Sequence, residues 1–199
     1  ARRPVVLSFS FVQPLLWLAF FGFLFHRYPL GDGLDVPYLD FLVPGVCGMT
    51  ALFGASQSGI AFIRDMQTGF FERLMHTPTS PVVIVGAKVG ADALRVVAQA
   101  AVVLALGVLL GADLSLAPGP LLAGVAALFA FAFAFASLSN LLAFMARAPE
   151  VMATFVHVVN MPILFTSTAL VPARDMPPFL AGVAAYNPLS AAVDVLREA

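Results

Sequence analysis

The sequence predicts an all-α, polytopic helical membrane protein: one transmembrane domain over residues 1–199, with five membrane-crossing helices. Three observations predict it. Of 199 residues, 61% are hydrophobic and only 11% are charged, against about 25% charged in an ordinary soluble domain. Several windows offer the roughly 20 apolar residues that a helix needs to cross a bilayer. The charge is gathered between those windows, above all in Arg64–Lys88, RDMQTGFFERLMHTPTSPVVIVGAK.

Composition also excludes some functions. A net charge of -1 argues against nucleic acid as a partner, because such a protein favours a basic face. Cys47 is the sole cysteine, so no internal disulfide or cysteine-based metal cage can form. It reads as a small buried apolar residue. No paired intramembrane carboxylates, His-rich metal spacing or nucleophile elbow point to an enzyme.

The first span is expected from about Val5 to Phe25, with Arg2 and Arg3 before it, His26 and Arg27 after it, and Pro14 inside, where it can kink the helix. Its length and the lack of a small-residue cleavage site argue against a signal peptide. A loop follows from Tyr28 to Asp40, with Pro29, Gly31, Gly33 and Pro37 among Asp32, Asp35 and Asp40. The second span is expected over Tyr38–Ile63. Ala51, Ala55 and Gly59 recur every fourth residue, as do Gly54 and Ser58, a spacing that lets helix backbones approach closely in lipid. A subunit interface and packing within the bundle fit this pattern equally well.

The charged elbow comes next. Phe70, Phe71, Leu74 and Met75 share one side of a helix, and Glu72, Arg73 and His76 the other. That predicts a short amphipathic helix at the membrane surface, ended by Thr77-Pro78. A helix restarts at Ser80-Pro81, with Ser80 as N-cap and Pro81 at the first helical position. A solvated loop touching headgroups and a helix that docks a partner are both compatible with these residues.

The third span covers roughly Val82–Ala112. Lys88, Asp92, Arg95 and Gln99 form a polar stripe in its first half, with Lys88–Asp92 and Asp92–Arg95 spaced to pair along the helix. An unpaired charge at the bilayer centre costs about 3 kcal/mol on insertion scales. The stripe should therefore lie in the cytoplasm or face a wet cavity, and a helix end that extends out of the membrane with local ion pairs is the favoured reading. Asp113–Pro120 is a turn, and the fourth span follows over Leu121–Ala146. In it Phe129, Phe131, Phe133 and Phe135 alternate with alanines. The apolar run is too long for a strand, and an open sheet edge cannot sit in lipid, so the phenylalanines are placed on two opposed helix faces. Arg147 and Glu150 mark a second cytoplasmic turn. The fifth span is expected over Val151–Val171. Its Thr154, His157 and Asn160 fall broadly on one face and, with Gln57 of the second span, are the candidate lining of a translocation path. Pro172, Pro177 and Pro178, a short apolar piece, Tyr186-Asn187-Pro188 and a short helix end the chain.

Charge sets the orientation. With the N-terminus in the cytoplasm, Arg2, Arg3, Arg64, Arg73, Lys88, Arg95 and Arg147 lie inside, and Arg27, Arg174 and Arg197 outside. That distribution satisfies the positive-inside rule and makes the elbow cytoplasmic.

The motifs then resemble a known family. Arg3-Pro4, Gln13-Pro14-Leu15-Leu16-Trp17 and Phe21-Gly22 are similar to the first span of the membrane subunits of ABC-type exporters of the second integral-membrane type, the family of daunorubicin-resistance and polysaccharide-export permeases. Gly69-Phe70-Phe71-Glu72-Arg73-Leu74, Thr77-Pro78, Ser80 and Gly86-Ala87-Lys88 are similar to its coupling region. Met161-Pro162, Val171-Pro172, Met176-Pro177, Asn187-Pro188-Leu189-Ser190, Val193-Asp194 and Leu196-Arg197 are similar to its fifth helix and external segment. The resemblance covers nearly the whole chain. It departs from the family pattern in having five spans rather than six and no amphipathic helix before the first, as in a chain cut short at both ends. Thr166-Ser167-Thr168 stands where many members carry Ser-Gly, which leaves the substrate branch open.

The resemblance implies a permease without its own nucleotide site, and no G-x-x-x-x-G-K-[ST] loop is present. ATP and Mg would be bound by a separate ABC ATPase subunit. A second permease half, expected to be an identical chain, and the lipid bilayer of a bacterial inner membrane are the other partners. The coupling contact would comprise Gly69, Phe70, Phe71, Glu72, Arg73, Leu74, Thr77 and Pro78. The cargo would be an amphipathic drug, a lipid or a lipid-linked glycan. An ion- or proton-coupled transporter using Lys88, Asp92, Arg95 or His157 is the alternative. The charges cluster at one end of the bundle rather than at the midplane, where such sites lie, and this argues against it.

Overall fold

The computed structural model of the protein describes residues 16–20, 38–112 and 117–198. Most of the first span, with Arg2, Arg3, Arg3-Pro4, Gln13-Pro14-Leu15, Phe21-Gly22, His26 and Arg27, lies outside the described residues, as do Asp32, Asp35 and Asp113. The described residues are all helix and turn. A short helix α1 (residues 16–20) buries Leu18. It is followed by α2 (Tyr38–Gln67), α3 (Phe70–Met75), α4 (Pro81–Leu109), α5 (Pro118–Ala146), α6 (Pro149–Phe165), a 3-10 turn (Ala173–Asp175), α7 (Pro178–Tyr186) and α8 (Pro188–Arg197).

The axis of the bundle is α2. Of its apolar window 72% is buried, against 33% for α4 and 28% for α5, and α3, α4, α5, α6 and α8 all pack on it. Its 30 residues make a rod about 45 Å long at 1.5 Å per residue. That exceeds the roughly 30 Å hydrocarbon core, so one end must stand clear of it. The expected end at Ile63 is therefore four residues short, and Arg64 and Asp65 belong to the helix, not to a loop. The small-residue stripe packs inside the chain: Ala51, Ala55 and Ser58 are fully buried, and Gly59 lies against Ser139 of α5.

Proline opens α4, α5, α6, α7 and α8, where its missing N–H is not needed. Ser80 does precede α4, but its side chain makes no capping bond. Arg147 ends α5 in the left-handed region at φ 52°. The phenylalanines of α5 divide as expected. Phe131 stacks on Phe135 at 5.4 Å on the packed side, and Phe129 stacks on Phe133 at 6.1 Å on the exposed side.

Three described helices, α2, α4 and α5, are long and apolar enough to cross a membrane, and the bent pair α7–α8, meeting at 84°, raises the number to four. The fifth expected span is shorter than the sequence suggested. α6 has 17 residues and stops at Phe165, not Val171. The hydroxyls of Thr166 and Ser167 donate to the Pro162 and Leu164 carbonyls at 2.7 and 2.6 Å, which closes the helix early. The amphipathic α8 then runs antiparallel to α2. It buries Leu189, Ser190, Ala192, Val193 and Leu196 against α2 and α5, while α7 leaves Phe179 and Tyr186 exposed.

Candidate functional site

The elbow is built on one tight turn. Thr68 and Gly69 separate α2 from α3, and Gly69 sits at φ 67°, a conformation that suits glycine. α3 therefore folds back on the end of α2. Phe71 meets Phe62 edge-to-face, ring centroids 5.0 Å apart, and Leu74 is half-buried. Phe70 and Met75 remain 49% and 43% exposed. The expected apolar side of α3 is thus divided: Phe71 and Leu74 anchor the helix, and Phe70 and Met75 are displayed. Glu72, Arg73, His76, Thr77 and Pro78 are exposed, and the Thr77 hydroxyl closes the helix on the Leu74 carbonyl at 2.6 Å.

Behind α3 lies a cavity of about 230 Å³ lined by Asp65, Phe70, Phe71, Leu74, Ile84, Lys88, Ala91 and Asp92. Lys88 Nζ is 3.1 Å from Asp65 Oδ2 of α2 and 3.6 Å from Asp92 Oδ2 of its own helix. The expected Lys88–Asp92 pair forms. Asp92–Arg95 is not among the described ion pairs: Arg95 is exposed, and Asp92 turns towards α2 to accept the Ser58 hydroxyl.

From Ser58 a buried polar chain continues into the bundle. Asn140 Nδ2 donates to Ser58 Oγ at 3.0 Å. The Ser139 hydroxyl donates to the Ser56 carbonyl at 2.6 Å and accepts from the Gly59 N–H at 3.1 Å. Ser56 Oγ is 2.9 Å from Asn160 Oδ1 of α6. Ser139 and Asn140 were not singled out from sequence. The one signal for them was a short polar run in the otherwise apolar fourth span.

The structure separates the candidate path residues. Asn160 is fully buried in this chain, while Gln57, Thr154 and His157 are exposed, with the Thr154 hydroxyl donating to the Glu150 carbonyl at 3.1 Å. Gln99 is buried beside Gly54 of α2. Cys47 is buried with its thiol 3.5 Å from the Ala100 carbonyl, so it packs as expected. No group of metal-ligating side chains occurs among the described residues.

At the opposite end of α2, Arg197 of α8 gathers four acceptors. Its Nη1 donates to Asp194 Oδ1 at 3.0 Å, and its Nη2 to the carbonyls of Thr168, Ala169 and Phe41 at 2.7, 3.2 and 3.3 Å. The guanidinium also lies 3.7 Å from the Phe41 ring centroid. Thr168 and Asn187 complete this end. The Thr168 hydroxyl donates to Asp194 at 2.8 Å, and Asn187 Nδ2 to the Ile163 carbonyl at 2.7 Å.

The profile of the ABC-2 type transporter family matches residues 1–199. A transport permease, ycf38, of Cyanophora paradoxa is 32% identical over 198 residues, which cover 98% of this chain and 68% of that protein. Its counterpart in Porphyra purpurea is also 32% identical, over 204 residues with the same shares. The daunorubicin resistance ABC transporter permease protein DrrB1 of Streptomyces coeruleorubidus is 31% identical over 199 residues, again 98% and 68% of the two chains. No solved structure matches.

Proposed function

This chain belongs to the ABC-2 type transporter family as a membrane transport permease with multiple spans, and we propose that it is one half of an ATP-driven exporter with α3 as the dock for a separate ATPase subunit. ATP and Mg reside on that subunit. A second permease half, an identical chain, completes the membrane part in a bacterial inner membrane, with the N-terminus and the elbow in the cytoplasm. Closure of the ATPases on ATP pushes on α3, and the membrane halves tilt to move an amphipathic drug, lipid or lipid-linked glycan outward. DrrB1's association with daunorubicin resistance supports the first of these cargoes.

The observation that carries the reading is the divided face of α3. Anchoring Phe71 on Phe62 fixes the helix, and this presents Phe70 beside the charged Glu72 and Arg73. An aromatic anchor with flanking charges is a common form of interface hot spot, and the charges set register and partner choice. The test is purification of the full-length protein from detergent, asking whether a phosphate-loop ATPase comes with it. Phe70→Ala and Glu72→Lys are expected to lose the ATPase while the permease melts as before, since neither side chain is buried. An ATPase that stays bound to both variants refutes the dock.

A further inference from the structure

We propose that Lys88 is a positioning residue that carries the elbow's motion into the bundle, by bridging the end of α2 to α4. The inference rests on the reading of α3 as the ATPase dock and extends it to the next step inward.

The covalent joint between α3 and the bundle is a poor transmitter. Gly69 is left-handed, a Cβ placed on it would meet nothing within 4 Å, and the turn is held by local hydrogen bonds, among them those from the Thr68 and Gly69 N–H groups to the Arg64 and Met66 carbonyls. Non-covalent contacts must then carry the movement, and they converge on one cavity. Phe70, Phe71 and Leu74 form its α3 wall, and Asp65, Lys88 and Asp92 its polar wall. Within that wall Lys88 reaches both carboxylates. Asp92 in turn holds Ser58, and Ser58 accepts from Asn140. The polar contacts therefore run unbroken from the last turn of α2 through α4, back to Ser58 of α2, and on to Asn140 in the C-terminal part of α5.

Lysine suits this position because its ammonium has three donors and can bond two carboxylates at once. Without it, two carboxylates face each other with no cation between them, and the α2–α4 contact loosens at the elbow. Beyond the Ser58–Asp92 hydrogen bond the rest of that contact is largely apolar, as where Val96 meets Gly54 and Val43 meets Gly107, and it can slide.

The experiment uses the full-length permease with its ATPase subunit in lipid. Hydrogen exchange of residues 168–171 and 189–197, at the far end of the bundle, is followed with and without ATP plus vanadate. In the wild type, nucleotide trapping is expected to change exchange there at least tenfold. In Lys88→Met that response is expected to vanish, although the ATPase remains bound and hydrolyses ATP. Lys88→Arg, which keeps two-carboxylate reach, is expected to retain it. If Lys88→Met does not fold, Asp65→Asn, which breaks the bridge at its most exposed member, is expected to reduce the response. A wild-type response in Lys88→Met or in Asp65→Asn overturns the proposal, as does a wild type whose far end ignores nucleotide while the ATPase is bound. An ATPase that never binds the wild type overturns the functional reading and this inference with it.

Discussion

Gly59→Ala tests the account of the bundle core most directly. A Cβ on Gly59 would lie 2.5 Å from the Ser139 carbonyl oxygen, 2.6 Å from Ser139 Oγ and 2.9 Å from Met152 Cε, where ordinary contact begins at 3.4 Å. The nearest of these is a backbone atom of α5, so rotating side chains cannot relieve the clash. The α2–α5 crossing must open by nearly an ångström. That displacement also strains the Ser139–Ser56 and Gly59–Ser139 hydrogen bonds. Overpacking of this kind costs about 1–3 kcal/mol, and each buried intramembrane hydrogen bond adds roughly 0.6 kcal/mol. The expected loss is about 2–4 kcal/mol, or on the order of 5–15 °C in melting midpoint for a domain of this size. The control is Gly86→Ala. Gly86 is helical and exposed, with nothing within 4 Å of a Cβ, so the same methyl group should leave stability unchanged or raise it by up to about 1 kcal/mol. Fluorescence-detected melting of both variants in one detergent gives the answer. Equal midpoints for Gly59→Ala and Gly86→Ala would refute the close α2–α5 crossing.

Two further substitutions probe the ends of α2. Gly69→Ala should cost about 1–2 kcal/mol from the left-handed backbone alone, because the site is open; a melting curve identical to wild type would mean that the elbow turn is not left-handed. Arg197→Met should free the carbonyls of Thr168, Ala169 and Phe41 from their shared donor and speed hydrogen exchange in residues 166–171 more than in α4, whereas uniform protection would show that the guanidinium does not hold this end together.

Much of this was legible in the sequence, for identifiable reasons. The starts of α4 and α8 were marked by Ser80-Pro81 and Asn187-Pro188, since proline fixes the first helical turn. In α8 Asn187 also caps, accepting from the Leu189 N–H at 2.9 Å. The two faces of the α5 phenylalanines followed from helical spacing alone. What failed to follow was every partner across helices. Spacing shows that Lys88 and Asp92 share a face, but not that the face meets Asp65 and Ser58 of α2, 23 and 34 residues earlier in the chain. The same gap hid the pairing of Asn160 with Ser56, and so the separation of Asn160 from Thr154 and His157. For α3, six residues are too few for periodicity to say which phenylalanine anchors and which is displayed. The gathered charge of Arg64–Lys88 and the amphipathic run located the elbow, and only the fold of α3 against Phe62 divided its face.

The chemistry along α2 argues for where the bundle can yield. Further in than the Ser58–Asp92 contact its partners are neutral, with Ser56, Ser139 and Asn160 all buried, and its ion pairs lie towards the two ends. Neutral hydrogen bonds there fix helix register without placing a charge in hydrocarbon, which costs about 3 kcal/mol or more. The α2–α5 crossing combines these bonds with a glycine–serine contact, so the two helices must move as one body. The α2–α4 seam differs near the α3 end: its outermost tie there is an ion pair with side chains 22% and 36% exposed, and the Ser58–Asp92 hydrogen bond lies behind it. Any force delivered through α3 meets this seam before it meets the dry core. Whether α4 follows α2 or slips past it then turns on Lys88, which holds Asp65 of α2 directly and backs the Asp92 carboxylate that holds Ser58.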